Sequence, residues 1–226
     1  MNYYDYLKEY GNQTFEELKF NEVDSLIFSV LSYLDYTGLI SNTKEYRRLR
    51  DIGIEYLHTH DKKKVFSLGR AQKDAYILLD TAISTKRYQD ILVHHYVYNS
   101  NINMQFSAMT FKIDKNTKYI SYEGTDELLS GWKEDFILSY KFPVEAHTLA
   151  IDYINEEISL FDKNIYVGGH SKGGNLALVA AMYTYKWKKN KILNVYSFDG
   201  PGLRKEEFKS KNYKSIKSRF FRFLLK

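Results

Sequence analysis

One stretch constrains this chain more than any other: "IYVGGHSKGGNLALVAAMY", residues 165–183. A short β-branched and aromatic run meets four glycines in seven residues, and a small-residue helical run follows at once. Gly169-His170-Ser171-Lys172-Gly173 fits G-x-S-x-G. In a nucleophile elbow of this form, the serine occupies a sharp strand-to-helix turn, and the two arms pass so closely that small neighbours are required. The turn exposes the hydroxyl and brings the first N–H groups of the helix to the reacting carbonyl oxygen. The pentapeptide is weak alone, but a strand directly before it and a helix directly after it are the context the motif needs. The competing readings are a glycine-rich turn in which Ser171 caps the helix, and a phosphate loop. The second fits poorly, because the G-x-x-x-x-G-K-[ST] frame is absent and Lys172 precedes its glycine pair.

The rest of the pattern is consistent with an α/β chain. Apolar residues at helical spacing predict a helix over 22–34, with Val23, Leu26, Ile27, Val30, Leu31 and Leu34 on one face. Further helices are predicted over 44–58, 70–82 and 85–96, giving a helical part over 1–98. Period-two alternation over 103–113 and 118–124, separated by "DKNT", predicts a β-hairpin. Helices are expected around "SGWKEDFILSY" and over 144–161. The strand "NIYVGG", a helix after Ser171 and the strand "KILNVYSF" then form a parallel pair with a right-handed crossover. The turn "DGPG" follows, and 204–226 reads as mostly helical. The whole is expected to be a single domain, 1–226, with its sheet core over 99–226 and no internal repeat.

Composition narrows the function classes. With 44% hydrophobic and 27% charged residues, the chain has the make-up of a soluble globular protein. It has no cysteine, which excludes disulfides and thiolate metal sites and fits a reducing, cytoplasmic setting. The N-terminus lacks the apolar core of a secretory signal, and the longest apolar run is too short to span a bilayer. The net charge of +5 is local. Residues 208–226 carry seven basic side chains and no acid. The 33 basic and 28 acidic residues of the chain therefore leave 26 and 28 in residues 1–207. Nucleic acid is not an expected partner.

Three segments, in order, resemble a known group. "GGHSKGGNLA" resembles the nucleophile elbow of α/β-hydrolases, especially class 3 lipases. "YISYEGTDELLSGWKEDF" is similar to the segment that ends a strand and supplies the second oxyanion donor in those lipases, and "VYSFDGPG" to their next strand and turn. Together with "FNEVDSLIFSVLSYLDYTG" near the start, they resemble a bacterial, class 3 lipase-like α/β-hydrolase family of unknown function (Mbeg-like). The resemblance implies a mostly parallel sheet with flanking helices. It implies Ser171 as nucleophile, and the backbone N–H groups of Lys172 and Thr125 as oxyanion donors. It implies supporting places for Trp132 and Asp135, whose plainer reading is helix packing and a local hydrogen bond. Glu123 stands where these lipases often place arginine. The implied substrate is a small-molecule or lipid ester, with no cofactor and no metal.

A serine needs a base, normally a histidine oriented by a carboxylate, and in this fold the chain order is Ser, then Asp or Glu, then His. Asp199, at the end of the next strand, is the candidate acid, although aspartate also suits the turn "FDGPG". All six histidines lie at or before position 170. His170 is expected to point away from its neighbour Ser171 and to be structural, His94 and His95 to lie in a helix, and none to have metal-ligand spacing. In the resembling family, the catalytic histidine and further strands follow the region where this sequence stops. The expectation is therefore a C-terminally shortened chain of low activity, or a non-catalytic binding or interaction module on the same fold. The remaining alternative makes 208–226 a basic amphipathic helix at a membrane surface, with Tyr213, Ile216, Phe220 and Leu224 on its apolar face.

Overall fold

The computed structural model describes residues 2–101, 104–125 and 142–224. Helices α1 (Tyr3–Tyr10) and α2 (Glu22–Leu31) each begin with a capping box. Asn21 accepts from the N–H groups of Val23 and Asp24, and the Asp24 carboxylate returns to the N–H of Asn21 at 3.0 Å. Two orphan donors of the helix terminus are thereby satisfied by contacts local in sequence. The fully buried Asp24 is also paired with Arg87, whose Nε and Nη2 donate to it at 2.7 and 2.6 Å, and it accepts from the hydroxyl of Tyr88. Arg87 further donates to the carbonyls of Thr14 and Leu18, which fastens the chain between α1 and α2 to the same point.

Strand β1 (Arg47–Arg48) leads into α3 (Leu49–Thr59), α4 (Lys62–Leu68) and α5 (Arg70–Ala82). The expected helix over 85–96 does not form. Residues 92–101 are instead strand β2 (Leu92–Asn101), antiparallel to β3 (Met104–Lys112). The Ile-Leu-Val-His-His-Tyr-Val-Tyr run is rich in β-branched and aromatic residues, and pairing with β3 satisfies its backbone in a way its apolar spacing did not reveal. The sheet thus begins before residue 99, and His94 and His95 are strand residues. The predicted hairpin is present as β3 and β4 (Thr117–Tyr122), closed by the Asp114 side chain accepting from the N–H of Asn116 at 2.7 Å.

After α6 (Glu145–Glu157) come β5 (Asn164–His170), α7 (Lys172–Tyr183), α8 (Lys186–Lys189), β6 (Ile192–Phe198), α9 (Lys205–Lys209) and α10 (Lys211–Ile216). The last segment differs from expectation. A 3-10 turn at Lys217–Arg219 leads into strand β7 (Phe220–Phe223), parallel to β6. Phe220 therefore belongs to a sheet edge, and the single amphipathic helix carrying Tyr213, Ile216, Phe220 and Leu224 is not formed.

The sheet runs in strict chain order, β1 to β7, antiparallel from β1 to β4 and parallel from β4 to β7. Its two faces are packed differently. One carries α2 and its aromatic contacts, with Phe28 stacked on Phe111 at 4.3 Å and the Ser25 and Ser29 hydroxyls against the Tyr119 hydroxyl at 2.9 and 2.8 Å. The other carries α6 and α7, where Ala177, Ala180 and Ala181 are fully buried. Helix α7 is buried nearly all round, which its mostly small and apolar composition permits, with the polar Lys172 and Asn175 hydrogen-bonded. The register brings the carboxyl ends of the parallel strands together, with Tyr122 beside Gly169, His170 beside Phe198 and Phe198 beside Phe223. Crevices outside such strand ends are where open α/β sheets bind ligands.

Candidate active site at the strand-to-helix turn

Ser171 links β5 to α7 with φ 52° and ψ −129°. A non-glycine residue at positive φ costs about 1–3 kcal/mol and persists only where its surroundings impose it. Here they do: the N–H of Ser171 donates to the carbonyl of Phe198 at 2.8 Å, and its own carbonyl accepts from Gly174 at 2.9 Å. A Cβ on Gly169 would overlap the Gly173 backbone and the Tyr122 carbonyl. One on Gly173 would overlap the Tyr122 carbonyl from the other side. The glycines are therefore the condition for this approach of strand and helix. The Ser171 side chain makes no capping bond, and among the described residues its Oγ has no hydrogen-bond partner. This removes the reading of Ser171 as a helix cap.

Around the serine, the predicted residues fall as follows. Lys172 is the first residue of α7, where the helix itself offers the backbone N–H no acceptor. Its side chain is buried and donates to the carbonyl of Gln105 on β3 at 2.7 Å. Thr125 follows Gly124, and a Cβ on Gly124 would meet the His170 carbonyl and the Tyr33 hydroxyl, so this end of β4 runs directly past the turn. Asp199 comes immediately after β6. It also has positive φ, 51°, and its N–H donates to the carbonyl of Phe223 at 2.9 Å. Trp132 and Asp135 lie outside the described residues.

His170 is half-buried, not fully enclosed. Its Nδ1 lies 2.8 Å from the Tyr33 hydroxyl and its Nε2 3.9 Å from an Asp199 carboxylate oxygen. Burial lowers its pKa, an effect that the Asp199 charge partly offsets. His147, on α6, is fixed as one neutral tautomer. Its Nδ1 accepts from the N–H of Val144 at 3.1 Å, so its Nε2 donates to Asn175 Oδ1 at 2.8 Å. Burial lowers its pKa in turn, and the Asn175 bond opposes the shift. Asn175, four residues after Ser171 on α7, passes the contact on to the carbonyls of Pro201 and Gly202 at 3.3 and 3.4 Å, which holds the turn after Asp199. Among the described residues no histidine hydrogen-bonds to Ser171 Oγ, and no group of three or more His, Cys, Asp and Glu is placed to hold a metal.

Sequence reasoning missed two contributors, Tyr33 and the His147–Asn175 bracket. Asn175 carried a signal, since i and i+4 share a helix face. Tyr33 carried none: it lies 137 positions from the histidine it meets.

The chain has an α/β-hydrolase-like fold with a strand–glycine–serine–helix turn at the carboxyl end of its parallel strands. The family model described as Mbeg1-like matches residues 82–226, more than half of the 226. The chain belongs to this class 3 lipase-like family. No curated protein matches it in sequence. Among solved structures it is similar to the crystal structure of M37 lipase, with 19% identity and a TM-score of 0.52 over 91% of this chain and 67% of that one. A fungal lipase–inhibitor complex, described as a model for interfacial activation, aligns at 17% identity with a TM-score of 0.45, over 80% of this chain and 74% of that one. The first establishes a likeness of fold alone; the second carries no argument.

Proposed function

We propose that this protein is a serine hydrolase of lipase or esterase type that cleaves an acyl ester through Ser171. The observation that carries the reading is a strained serine whose hydroxyl has no hydrogen-bond partner among the described residues. Strain of about 1–3 kcal/mol is retained at a position where the side chain makes no capping bond. In this reading Ser171 Oγ attacks the ester carbonyl: the Oγ–C bond forms as the C=O π bond opens to an oxyanion, and the hydroxyl proton passes to solvent. The backbone N–H groups of Lys172 and Thr125 receive the developing oxyanion. Collapse expels the alcohol, which takes up a proton, and water then releases the acyl group as a carboxylic acid. Each oxyanion donor is worth roughly 2.7–4 kcal/mol in a comparable hydrolase. Asp199 is the acid of the set, facing His170 at 3.9 Å. A lipid or small-molecule ester is the substrate class, by analogy with the lipases of the same fold.

A second reading follows from the absence, among the described residues, of a histidine on Ser171 Oγ: the fold acts as a binding module that has kept its turn. The two readings differ in rate. An oxyanion hole and binding without a working triad leave only about 10³–10⁴-fold catalysis over water. A fluorophosphonate probe separates them. Labelling that disappears in Ser171→Ala is expected of the hydrolase, and an unlabelled wild-type protein with native circular dichroism would exclude it.

A further inference from the structure

At the opposite end of the sheet from Ser171, two short segments expose large apolar side chains side by side. Between α6 and β5, Leu160 and Phe161 are 76% and 88% exposed. After α7, Tyr185 and Trp187 are 62% and 43% exposed. They form one surface because Lys191 joins them. Its Nζ donates to the carbonyls of Ser159, Leu160 and Asp162 at 3.0, 2.7 and 2.6 Å, and lies 5.5 Å from the centre of the Trp187 ring. Soluble proteins rarely leave such side chains contiguous without a use.

The charge around this surface has one dominant sign. Residues 183–193, "YTYKWKKNKIL", hold four lysines and no acid; Lys186 is exposed, Lys189 and Lys191 are half-buried and Lys188 is buried, and Lys163 is exposed beside Phe161. Lys44 donates to the carbonyl of Glu156 at the same end of α6. Arg219 reaches the carbonyls of Lys189 and Ile192 at 2.8 and 2.7 Å, so the basic C-terminal segment lies against this end too. Of the nearby acids, Asp162 is taken up by Lys118 at 3.1 Å and the Ser159 N–H at 2.7 Å, while Glu156 and, in the adjoining β3–β4 turn, Asp114 are exposed. Exposed phenylalanine and leucine tips, tryptophan and tyrosine beside them and a lysine surround are the chemistry that settles into an anionic lipid headgroup layer.

We propose that the surface made by Leu160, Phe161, Tyr185 and Trp187, with its lysine rim, docks the protein onto an anionic lipid bilayer. The seven residues of β5 separate it from Ser171 by roughly 20 Å at about 3.3 Å per residue. The docked molecule therefore presents its strand carboxyl ends away from the membrane. The basic tail contributes charge to this surface from a folded position, not as a free amphipathic helix.

Co-sedimentation at low ionic strength tests this, with vesicles of phosphatidylcholine alone and of phosphatidylcholine containing about one-third phosphatidylserine. Wild-type protein is expected to bind the anionic vesicles and to release with salt. The Phe161→Ser/Trp187→Ser double variant is expected to bind at least about tenfold more weakly, and Lys186→Glu several-fold more weakly. Ser171→Ala is expected to bind like wild type, so this result is independent of the hydrolase reading. Both apolar positions are at the surface, and thermal melts check the fold; if the double variant melts early, Phe161→Ser and Lys186→Glu alone carry the test. Absent binding to anionic vesicles, equal binding to both compositions, or unchanged binding of the variants would overturn the proposal. So would a dimer that Phe161→Ser dissolves in the absence of vesicle binding, which would assign the surface to a second copy of the chain.

Discussion

Two residues of this chain, Ser171 and His95, hold the same strained φ of 52°, and their surroundings could hardly differ more. His95 lies where the β2–β3 register slips between His94 and Val97. Its Nδ1 and both of its backbone polar groups are hydrogen-bonded, and its Nε2 lies 3.9 Å from a Glu156 carboxylate oxygen. Its Nδ1 lies 2.6 Å from Glu157, its N–H donates to the carbonyl of Thr43 at 3.1 Å, its carbonyl accepts from Tyr153 at 2.8 Å, and its ring stacks on Tyr153. Ser171 has its backbone engaged and its hydroxyl left over. Strain at His95 is compensated by the bonds of the strained residue itself. Strain at Ser171 is imposed by neighbours, and the side chain gains no bond among the described residues. Strain alone therefore does not mark a site of chemistry in this molecule; strain together with an unengaged reactive atom does.

The contrast can be broken most forcefully at Glu157. It is fully buried between His94 and His95. Burial alone would raise its pKa, but the hydrogen bond to His95, the electrostatic pull of the His94 ring and the Lys118 charge outweigh that and lower it. Glu157→Ala is expected to cost about 3–5 kcal/mol in urea unfolding, because one partner of a buried charged cluster is removed. A loss under 1 kcal/mol would mean that the bulge does not depend on this carboxylate.

Acid is the next largest perturbation. Burial pushes the pKa of His94 from 6.5 down to about 4. Its protonated form is favoured in the unfolded chain, so stability is highest above pH 6.5 and falls as the pH drops toward 4. A shift of this size corresponds to roughly 3 kcal/mol at about 1.36 kcal/mol per unit. His94→Gln should flatten the stability–pH curve in that window, and an unchanged slope would locate the acid sensitivity elsewhere.

The smallest effect is the sharpest discriminator. Ser171→Gly relieves positive φ without losing a bond and is expected to stabilise the protein by about 1 kcal/mol. His95→Gly relieves the same φ but forfeits the Glu157 contact, and is expected to destabilise by at least about 1.5 kcal/mol. Opposite signs in paired urea titrations support the contrast; equal signs abolish it.

Much of this was legible beforehand. The strand, the glycine turn and the helix around Ser171 are local, and period and composition agree over the whole stretch. The β3–β4 hairpin was readable for the same reason. The β2 strand was not, because a short apolar run with aromatic residues fits either period until its partner strand is known. The Phe-Phe-Arg-Phe strand was hidden in the same way, its four residues too few to outweigh the helical spacing before them. Contacts of long sequence separation were beyond reach. Nothing near Tyr33 announces His170, and nothing near Glu157 announces a histidine pair some sixty positions earlier.

The sheet's strict chain order has a consequence for biosynthesis. Each strand pairs with the one made just before it, so the sheet can grow at one edge as the ribosome delivers residues, N-terminal parts first. Helix α2 does not enjoy that economy, because it packs across β4 and β5 and the Tyr33 beyond it meets His170. Helix α5 and Tyr88 cover part of α2 early, but the part that meets β4 and β5 is covered only once those strands have been translated. Until β5 is delivered, that part of α2 stays open on the nascent chain.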